Sequence, residues 1–181
     1  MGGVLMTRFL FWMALWATLS APWAGAASLA CGPMHDAMLK LYSIPVHVYS
    51  TENAAYAGGK VRSSEIIYLN HATFVEVNGK WQTSKITQET MREIREKEAL
   101  KDSNATCRVV REDTVNGEAA VLYSVHQSVE ETKIDSQVWI SKAQGLPLKI
   151  ELDMDVGGKL GKSHRSMRYE YTNVQAPAGV R

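Results

Sequence analysis

The sequence predicts an α+β domain in which a long antiparallel β-sheet is accompanied by two short helices. Apolar and polar residues alternate with period two through most of the chain after residue 60, as they do in half-buried strands. The connections between these segments are short and polar, which favours an antiparallel meander. Only residues 33–41 and 87–100 show helical spacing instead.

The first 26 residues are predicted to be a secretory signal peptide. Arg8 supplies the positive charge, residues 9–19 form an apolar run, and Ala24-Gly25-Ala26 provides a small-residue cleavage site. An apolar run of roughly 11 residues is shorter than the about 20 needed to cross a bilayer as a helix. Initiation at Met1 or at Met6 leaves this prediction unchanged. We therefore expect residues 27–181 to be a periplasmic domain without a transmembrane segment.

Charge and length limit the classes of partner. Removing residues 1–26 leaves 19 Lys and Arg against 19 Asp and Glu. Nucleic acids and anionic membranes both need a basic excess, so neither is an expected partner. The roughly 150 residues that follow the signal peptide suit one domain that buries most of its apolar surface.

The two cysteines, Cys31 and Cys107, are predicted to form a disulfide because an exported protein meets an oxidising compartment. Two free buried thiols are the alternative, and a zinc site is disfavoured because isolated cysteines lack paired ligand spacing. Acylation of Cys31, as in bacterial lipoproteins, would anchor the protein to a membrane. That alternative is weaker because Leu29 stands one position too close to the cysteine.

The first half of the domain is predicted to hold both helices and four strands. Met34, Ala37, Met38 and Leu41 follow helical spacing in residues 33–41, which end before Pro45. Strands are expected at 46–50, 65–69, 73–76 and 80–83, with a loop at 53–60 and a hairpin turn at Asn78-Gly79. The helix at 87–100 has few apolar positions and covers only a narrow strip of core.

The second half is predicted to consist of five antiparallel strands at 107–114, 118–129, 133–140, 146–154 and 163–174. Leu148, Ile150, Leu152 and Met154 alternate with charged residues, and Met167, Tyr169 and Tyr171 do the same in the last strand. One face of the sheet is therefore expected to be apolar and to need a cover. Because only two modest helices are available, either the sheet curls or a cavity stays open.

No catalytic or metal-binding motif is present, so we predict a protein that is not an enzyme and has no cofactor. The histidines lack the spacing that places two metal ligands on one face; they are His35, His47, His71, His126 and His164. Gly157, Gly158 and Gly161 indicate a turn more than a phosphate-binding loop. A hydrolase whose residues come together only in space is the alternative that the sequence leaves open.

The element order resembles that of the LolA-like family of bacterial periplasmic proteins. The resemblance is carried by residues 64–69 (SEIIYL), 77–81 (VNGKW), 138–149 (VWISKAQGLPLK) and 169–174 (YEYTNV). In this family a strongly curved antiparallel half-barrel, closed on its concave side by helices, holds a lipid or a lipoprotein acyl chain. The resemblance implies that residues 27–181 form such a half-barrel with both helices on its concave side. The helix at 87–100 departs from the family in being poor in apolar residues.

The resemblance further implies a periplasmic binding or carrier protein for a hydrophobic ligand such as a lipid or acyl chain. Nine residues are expected to line the ligand: Ile66, Tyr68, Phe74, Tyr123, Trp139, Ile150, Leu152, Met167 and Tyr169. The sequence does not settle the strand phase of the first four. The alternative is an envelope interaction or structural module with a filled core, whose partner is another protein.

Overall fold

A computed structural model describes residues 31–55, 58–99, 105–158 and 161–180. The predicted signal peptide and its cleavage site lie outside these residues. The described chain forms two helices, α1 (Gly32–Leu41) and α2 (Gln88–Ala99). Its nine strands are β1 (Val46–Ala54), β2 (Val61–Leu69), β3 (Ala72–Val77), β4 (Lys80–Ser84), β5 (Thr106–Val115), β6 (Glu118–Val129), β7 (Thr132–Ser141), β8 (Pro147–Asp155) and β9 (Lys162–Glu170).

All nine strands belong to one antiparallel sheet with the order β4-β3-β2-β1-β9-β8-β7-β6-β5. The sheet is not closed, and β4 and β5 are its edges. Strands β1–β4 form one meander and β5–β9 form another, and the two join where β1 pairs with β9, with Val48 opposite Tyr169. The structure therefore confirms the predicted α+β class and the curved half-barrel with both helices on its concave side.

The predicted hairpin between β3 and β4 is present. Asn78 and Gly79 both have positive φ angles, 53° and 75°, as a two-residue turn of type I′ requires. Strands β1 and β2 are longer than predicted, since they stay paired as far as Asn53 and Val61. Their outer ends carry hydroxyl and charged side chains, which an antiparallel pair tolerates but which erase the apolar alternation used for prediction. Strand β9 ends at Glu170 and not at residue 174.

The main core lies between α1 and the concave face, by which we mean the face of the sheet that carries the helices. Ala37 and Leu41 of α1 are buried against the first residue of β1, Val46, which is 0 % exposed. The buried members of this cluster are Ala37, Leu41, Tyr42, Val46, Val48, Cys107, Tyr123, Val138, Ile140, Ile150 and Tyr169.

The predicted disulfide joins Cys31 to Cys107, with Cα atoms 5.7 Å apart. Cys31 immediately precedes α1, and Cys107 lies at the start of the edge strand β5. The bond therefore ties the beginning of α1 to one edge of the sheet. Because the sulfur of Cys31 is used in this bond, the same atom cannot carry an acyl anchor.

A second buried cluster lies on the opposite face of the sheet, which we call the outer face. It consists of Ala120, Leu122, Trp139 and Leu148, with Val115 packed against it. A register shift at Trp139/Ile140 leaves Leu148 without a direct partner on β7, because Ile140 pairs with Pro147 and Trp139 pairs with Lys149. The expectation that Leu148 shares the face of Ile150 is thereby corrected, and the outer face is partly apolar.

Candidate functional site

The concave face is built from cross-strand rows, because directly opposed residues in an antiparallel pair point to the same side. The row nearest the start of β1 contains Val46, Tyr68 and Thr73. The next contains Val48, Ile66, Val75 and Tyr169, and the third contains Tyr123, Val138, Ile150 and Met167. Most of these side chains are buried in, or packed against, the main core cluster. Helix α1 thus covers the near half of the concave face.

The far half of the concave face is apolar along β7 and β8 but less covered. Leu152 lies opposite Ser136 and Arg165, and Met154 lies opposite Ile134. Leu152, Met154 and Ile134 are all partly exposed and lie outside the buried cluster. We call these three residues the far strip. Its presence leaves apolar surface on the side of the sheet that elsewhere forms the core.

An ion pair flanks the far strip. Arg165 donates from Nη2 to Oε2 of Glu52 at 2.9 Å, and both side chains are partly exposed. Arg165 on β9 lies opposite Leu152 on β8. On its other side, Arg165 lies opposite Glu52 on β1. The concave face therefore changes from aliphatic to charged within one cross-strand row.

A polar group of residues lies at the near end of the concave face. Burial raises the pKa of Tyr68 to about 12, with a further increase from Tyr42, while the positive charge of Arg95 on α2 opposes the rise. Thr73, the cross-strand partner of Tyr68, is 3 % exposed, and no described residue hydrogen-bonds to its buried Oγ1. The Tyr68 hydroxyl therefore stays protonated at neutral pH, and the hydroxyls of Tyr68 and Thr73 are both suited to hydrogen bonding.

Seven of the nine residues expected to line a ligand lie on the concave face. They are Ile66, Tyr68, Tyr123, Ile150, Leu152, Met167 and Tyr169. Tyr123, Ile150 and Tyr169 are buried members of the packed cluster, whereas Leu152 is partly exposed. The structure therefore brings these residues onto one surface but divides them between a filled half and a less covered half.

Phe74 and Trp139 point to the outer face and are removed from the expected lining. Phe74 lies opposite Ile67, while its neighbour Thr73 takes the concave position beside Tyr68. Trp139 lies opposite Leu122, and its Nε1 donates to Oδ2 of Asp113 at 3.0 Å. Trp139 belongs to the buried apolar cluster of the outer face, and sequence alternation alone had not revealed the outward direction of either residue.

Sequence reasoning missed two parts of the far half. Ile134 belongs to the far strip, and the alternation of Ile134, Ser136 and Val138 is a signal that would have identified it. The Glu52–Arg165 ion pair joins residues 113 positions apart in the chain. No local pattern connects these two residues, because only the β1–β9 pairing brings them together.

Two further features bear on function. Among the described residues, no helix has the length and apolar character needed to cross a membrane. Within the same part of the chain, no three His, Cys, Asp or Glu side chains come together as a metal site requires.

Three solved structures of other proteins match this chain, and one of them, with a TM-score above 0.5, has a similar fold. The lipoprotein LppX from Mycobacterium tuberculosis superposes with a TM-score of 0.51 at 9% identity, over 83% of this chain and 99% of LppX. LprF from Mycobacterium bovis gives a TM-score of 0.44 at 9% identity, over 81% of this chain and 95% of LprF. The LolA superfamily protein NE2245 from Nitrosomonas europaea gives a TM-score of 0.29 at 10% identity, over 80% of this chain and 91% of NE2245.

No family model matches the sequence, and no curated protein matches it either. The similarity to LppX, at this level of identity, concerns the fold alone. The fold that this chain shares with LppX agrees with the half-barrel that the sequence resemblance implied.

Proposed function

We propose that this protein is a binding or carrier protein of the cell envelope that holds a hydrophobic ligand, such as a lipid acyl chain, on its concave face. The observation that carries the proposal is the partial exposure of the far strip, Ile134, Leu152 and Met154, on the same face as the buried core. Exposed apolar surface of this kind commonly marks a binding surface.

The energetics of the far strip suit a ligand that is mostly hydrocarbon. Burial of apolar surface contributes about 25 cal/mol per Å². Leu152 and Met154 belong to one strand and point the same way, so an extended chain lying along β8 would cover both. The Glu52–Arg165 pair beside Leu152 provides hydrogen-bonding groups for a polar end of the ligand.

The envelope location is supported by two independent features. The predicted signal peptide directs export, and the Cys31–Cys107 disulfide is the kind of bond that persists in an oxidising compartment. A non-catalytic role is supported by the absence from the sequence of any motif pairing a nucleophile with a base.

The second candidate is an envelope protein-interaction module, and one observation favours it. The edge strand β5 exposes Val109 and Val110, which are 54 % and 42 % exposed. An unpaired strand edge with exposed aliphatic residues is able to accept an extended segment of another protein. In this reading the near half of the concave face is simply the core.

Native mass spectrometry of the protein purified from the periplasm without detergent tests the proposal. We expect a bound mass matching a phospholipid or fatty acid, and we expect Leu152→Glu to lose it. Val61→Glu is the matched control, because Val61 is an aliphatic strand residue that is 67 % exposed. Circular dichroism establishes that both variants fold.

A protein that carries no adduct, even after incubation with phospholipid vesicles and palmitate, would contradict the carrier proposal. A folded Leu152→Glu variant that keeps its ligand would contradict the placement of the ligand on the far strip.

A further inference from the structure

The outer face carries a groove that is separate from the concave face. It lies between the outer surface of β1, β2 and β4 and the segment that follows β9, residues 172–177. Its volume is about 650 Å³, within the range of roughly 300–1,000 Å³ usual for small-molecule pockets. The C-terminal segment thus forms one wall of a groove whose floor is the sheet.

Aromatic rings form part of this groove. The ring of His47 stacks on Tyr49 with centroids 4.1 Å apart and planes 24° apart. The Trp81 ring meets His47 edge-on at 6.1 Å. Arg168 lies against Tyr49, with its Cζ 4.2 Å from the ring centroid. Trp81, partly exposed on the edge strand β4, ends this array and is the ring best placed to accept a ligand.

The two carboxylates of the groove are paired. Glu65 Oε2 lies 2.8 Å from Nε2 of His47. Glu170 accepts hydrogen bonds from the hydroxyl of Tyr49 at 3.1 Å and from Arg168. The hydrogen bond from Arg168 is the largest cause of a lowered pKa at Glu170, so this carboxylate is ionised at neutral pH. The carboxyl oxygens of Glu65 and Glu170 have two lone pairs each, so both groups keep acceptor capacity for a ligand.

The C-terminal wall adds uncharged polar groups. Thr172, Asn173 and Gln175 line this wall. Their side chains carry a hydroxyl and two amides, and the amides both donate and accept hydrogen bonds. Asn173 has a φ of 56°, a left-handed conformation that turns the chain just after β9. The groove therefore has amide-bearing residues on its C-terminal wall and aromatic and carboxylate residues on its floor.

A second groove of about 470 Å³ adjoins the first and shares Tyr49 and Glu65 as lining residues. Its floor includes Thr51, which lies opposite Ser63 on β2 and Ser166 on β9. A row of small hydroxyl side chains leaves the floor open and offers further hydrogen bonds. We call these two adjoining grooves together the outer cleft.

We propose that the outer cleft binds a neutral carbohydrate chain, with Trp81 as the stacking ring and with the carboxylates and amides hydrogen-bonding to sugar hydroxyls. A sugar ring presents an apolar C–H face to an aromatic ring and hydroxyl groups at its edge, which matches a pocket of rings and planar polar groups. A cationic ligand fits less well because Glu65 and Glu170 are already paired with His47 and Arg168. An anion would meet both carboxylates.

Isothermal titration calorimetry of the exported protein tests this proposal with maltotetraose, chitotetraose and trilysine as probes. We expect saturable binding of at least one oligosaccharide, a loss of at least tenfold in affinity for Trp81→Ala, and a smaller loss for Trp81→Phe. Gln82→Ala is the matched control, since Gln82 is the exposed neighbour of Trp81 and points to the other face. Its affinity should equal that of the unchanged protein.

Failure of both oligosaccharides to bind would overturn the proposal, as would equal affinity in a folded Trp81→Ala protein. Saturable binding of trilysine without either sugar would replace the carbohydrate with a cationic ligand. Because Leu152 lies on the other face, Leu152→Glu should leave oligosaccharide binding unchanged, and this separates the outer cleft from the proposed carrier function.

Discussion

Gln88, the first residue of α2, donates a hydrogen bond from Nε2 to the carbonyl oxygen of Ile44 at 2.7 Å, and it is 3 % exposed. The same nitrogen lies 3.5 Å from the carbonyl oxygen of Leu41, the last residue of α1. One buried side chain therefore provides a hydrogen-bond donor to carbonyl oxygens at and just after the end of α1. The same contact holds α2 beside α1.

We expect Gln88→Ala to lower the free energy of unfolding by about 1–3 kcal/mol, because it leaves buried carbonyl oxygens without a donor. Urea denaturation followed by circular dichroism measures the change. Gln82→Ala, an exposed glutamine on β4, serves as the control and should change stability little. Equal denaturation midpoints for the two variants would show that the Gln88 contact contributes nothing.

The Cys31–Cys107 disulfide spans 76 positions of sequence. Closing a loop of this length in the unfolded chain corresponds to about 4 kcal/mol in the chain-entropy model, and native disulfides typically contribute about 2–5 kcal/mol. We expect the double variant Cys31→Ser, Cys107→Ser to unfold at a lower urea concentration by a corresponding amount. Reduction of the unchanged protein should give the same midpoint as the double variant. If the oxidised and the reduced protein had the same urea midpoint, this expectation would be contradicted.

His164 on β9 is expected to make stability depend on pH. Its Nδ1 lies 2.8 Å from Asp153 and its Nε2 lies 3.0 Å from Glu151, both on β8. The hydrogen bond with Asp153 is the largest cause that raises the pKa of His164 above its ordinary 6.5, against a smaller opposing effect of burial. Stability from these contacts is therefore complete below pH 6.5 and is lost as the pH rises through the folded-state pKa.

Histidine NMR titration checks this directly, and Asp153→Asn should move the pKa of His164 downward. Because the imidazole is half exposed, the effect on stability is expected to be small. His164→Gln should be less stable than the unchanged protein at pH 5 and equal to it at pH 9. If the stability difference between the two proteins were larger at pH 9 than at pH 5, the predicted direction of the pH dependence would be wrong.

Gly145 in the β7–β8 turn has a φ of 62°, and its amide donates to the carbonyl oxygen of Ser141 at 2.9 Å. No atom lies within 4 Å of the position a Cβ would take, so any cost of Gly145→Ala comes from the backbone. We expect this variant to lose about 1–2 kcal/mol. Gly32→Ala at the start of α1, also in open space but without positive φ, should gain about 0.4–1 kcal/mol. Thermal denaturation gives the melting temperature of each variant relative to the unchanged protein. A change in melting temperature of the same sign in both variants would refute the backbone explanation.

The sequence was sufficient for the parts of the fold that local chemistry determines. The Asn78-Gly79 turn, both helices and the alternation of Ile150, Leu152 and Met154 all correspond to elements of the structure. The disulfide followed from having two cysteines in a chain that was predicted to be exported. Each of these depends on neighbours in sequence or on composition, so no knowledge of the sheet order was needed.

The candidate site was less accessible to prediction because it depends on which face a strand presents. Trp139 and Leu148 lie on the outer face beside a register shift, and a bulge has no reliable mark in a single sequence. Phe74 was among the expected lining residues although its strand phase was left open, and the structure gives the concave position to the polar Thr73. The Glu52–Arg165 pair and the outer cleft arise from the joining of β1 to β9, which is a nonlocal event.

That joining has a kinetic consequence. Each meander is made of strands that are neighbours in sequence, whereas β1 and β9 bring together residues such as Tyr49 and Glu170, 121 positions apart. Contacts between distant segments are slow to form because loop closure must precede them. We expect the two halves of the sheet to acquire structure early and the amides at their junction to gain protection from hydrogen exchange last. During that interval the edges of β1 and β9 are unpaired, so a folding chain is most prone to aggregation before its final strand is in place.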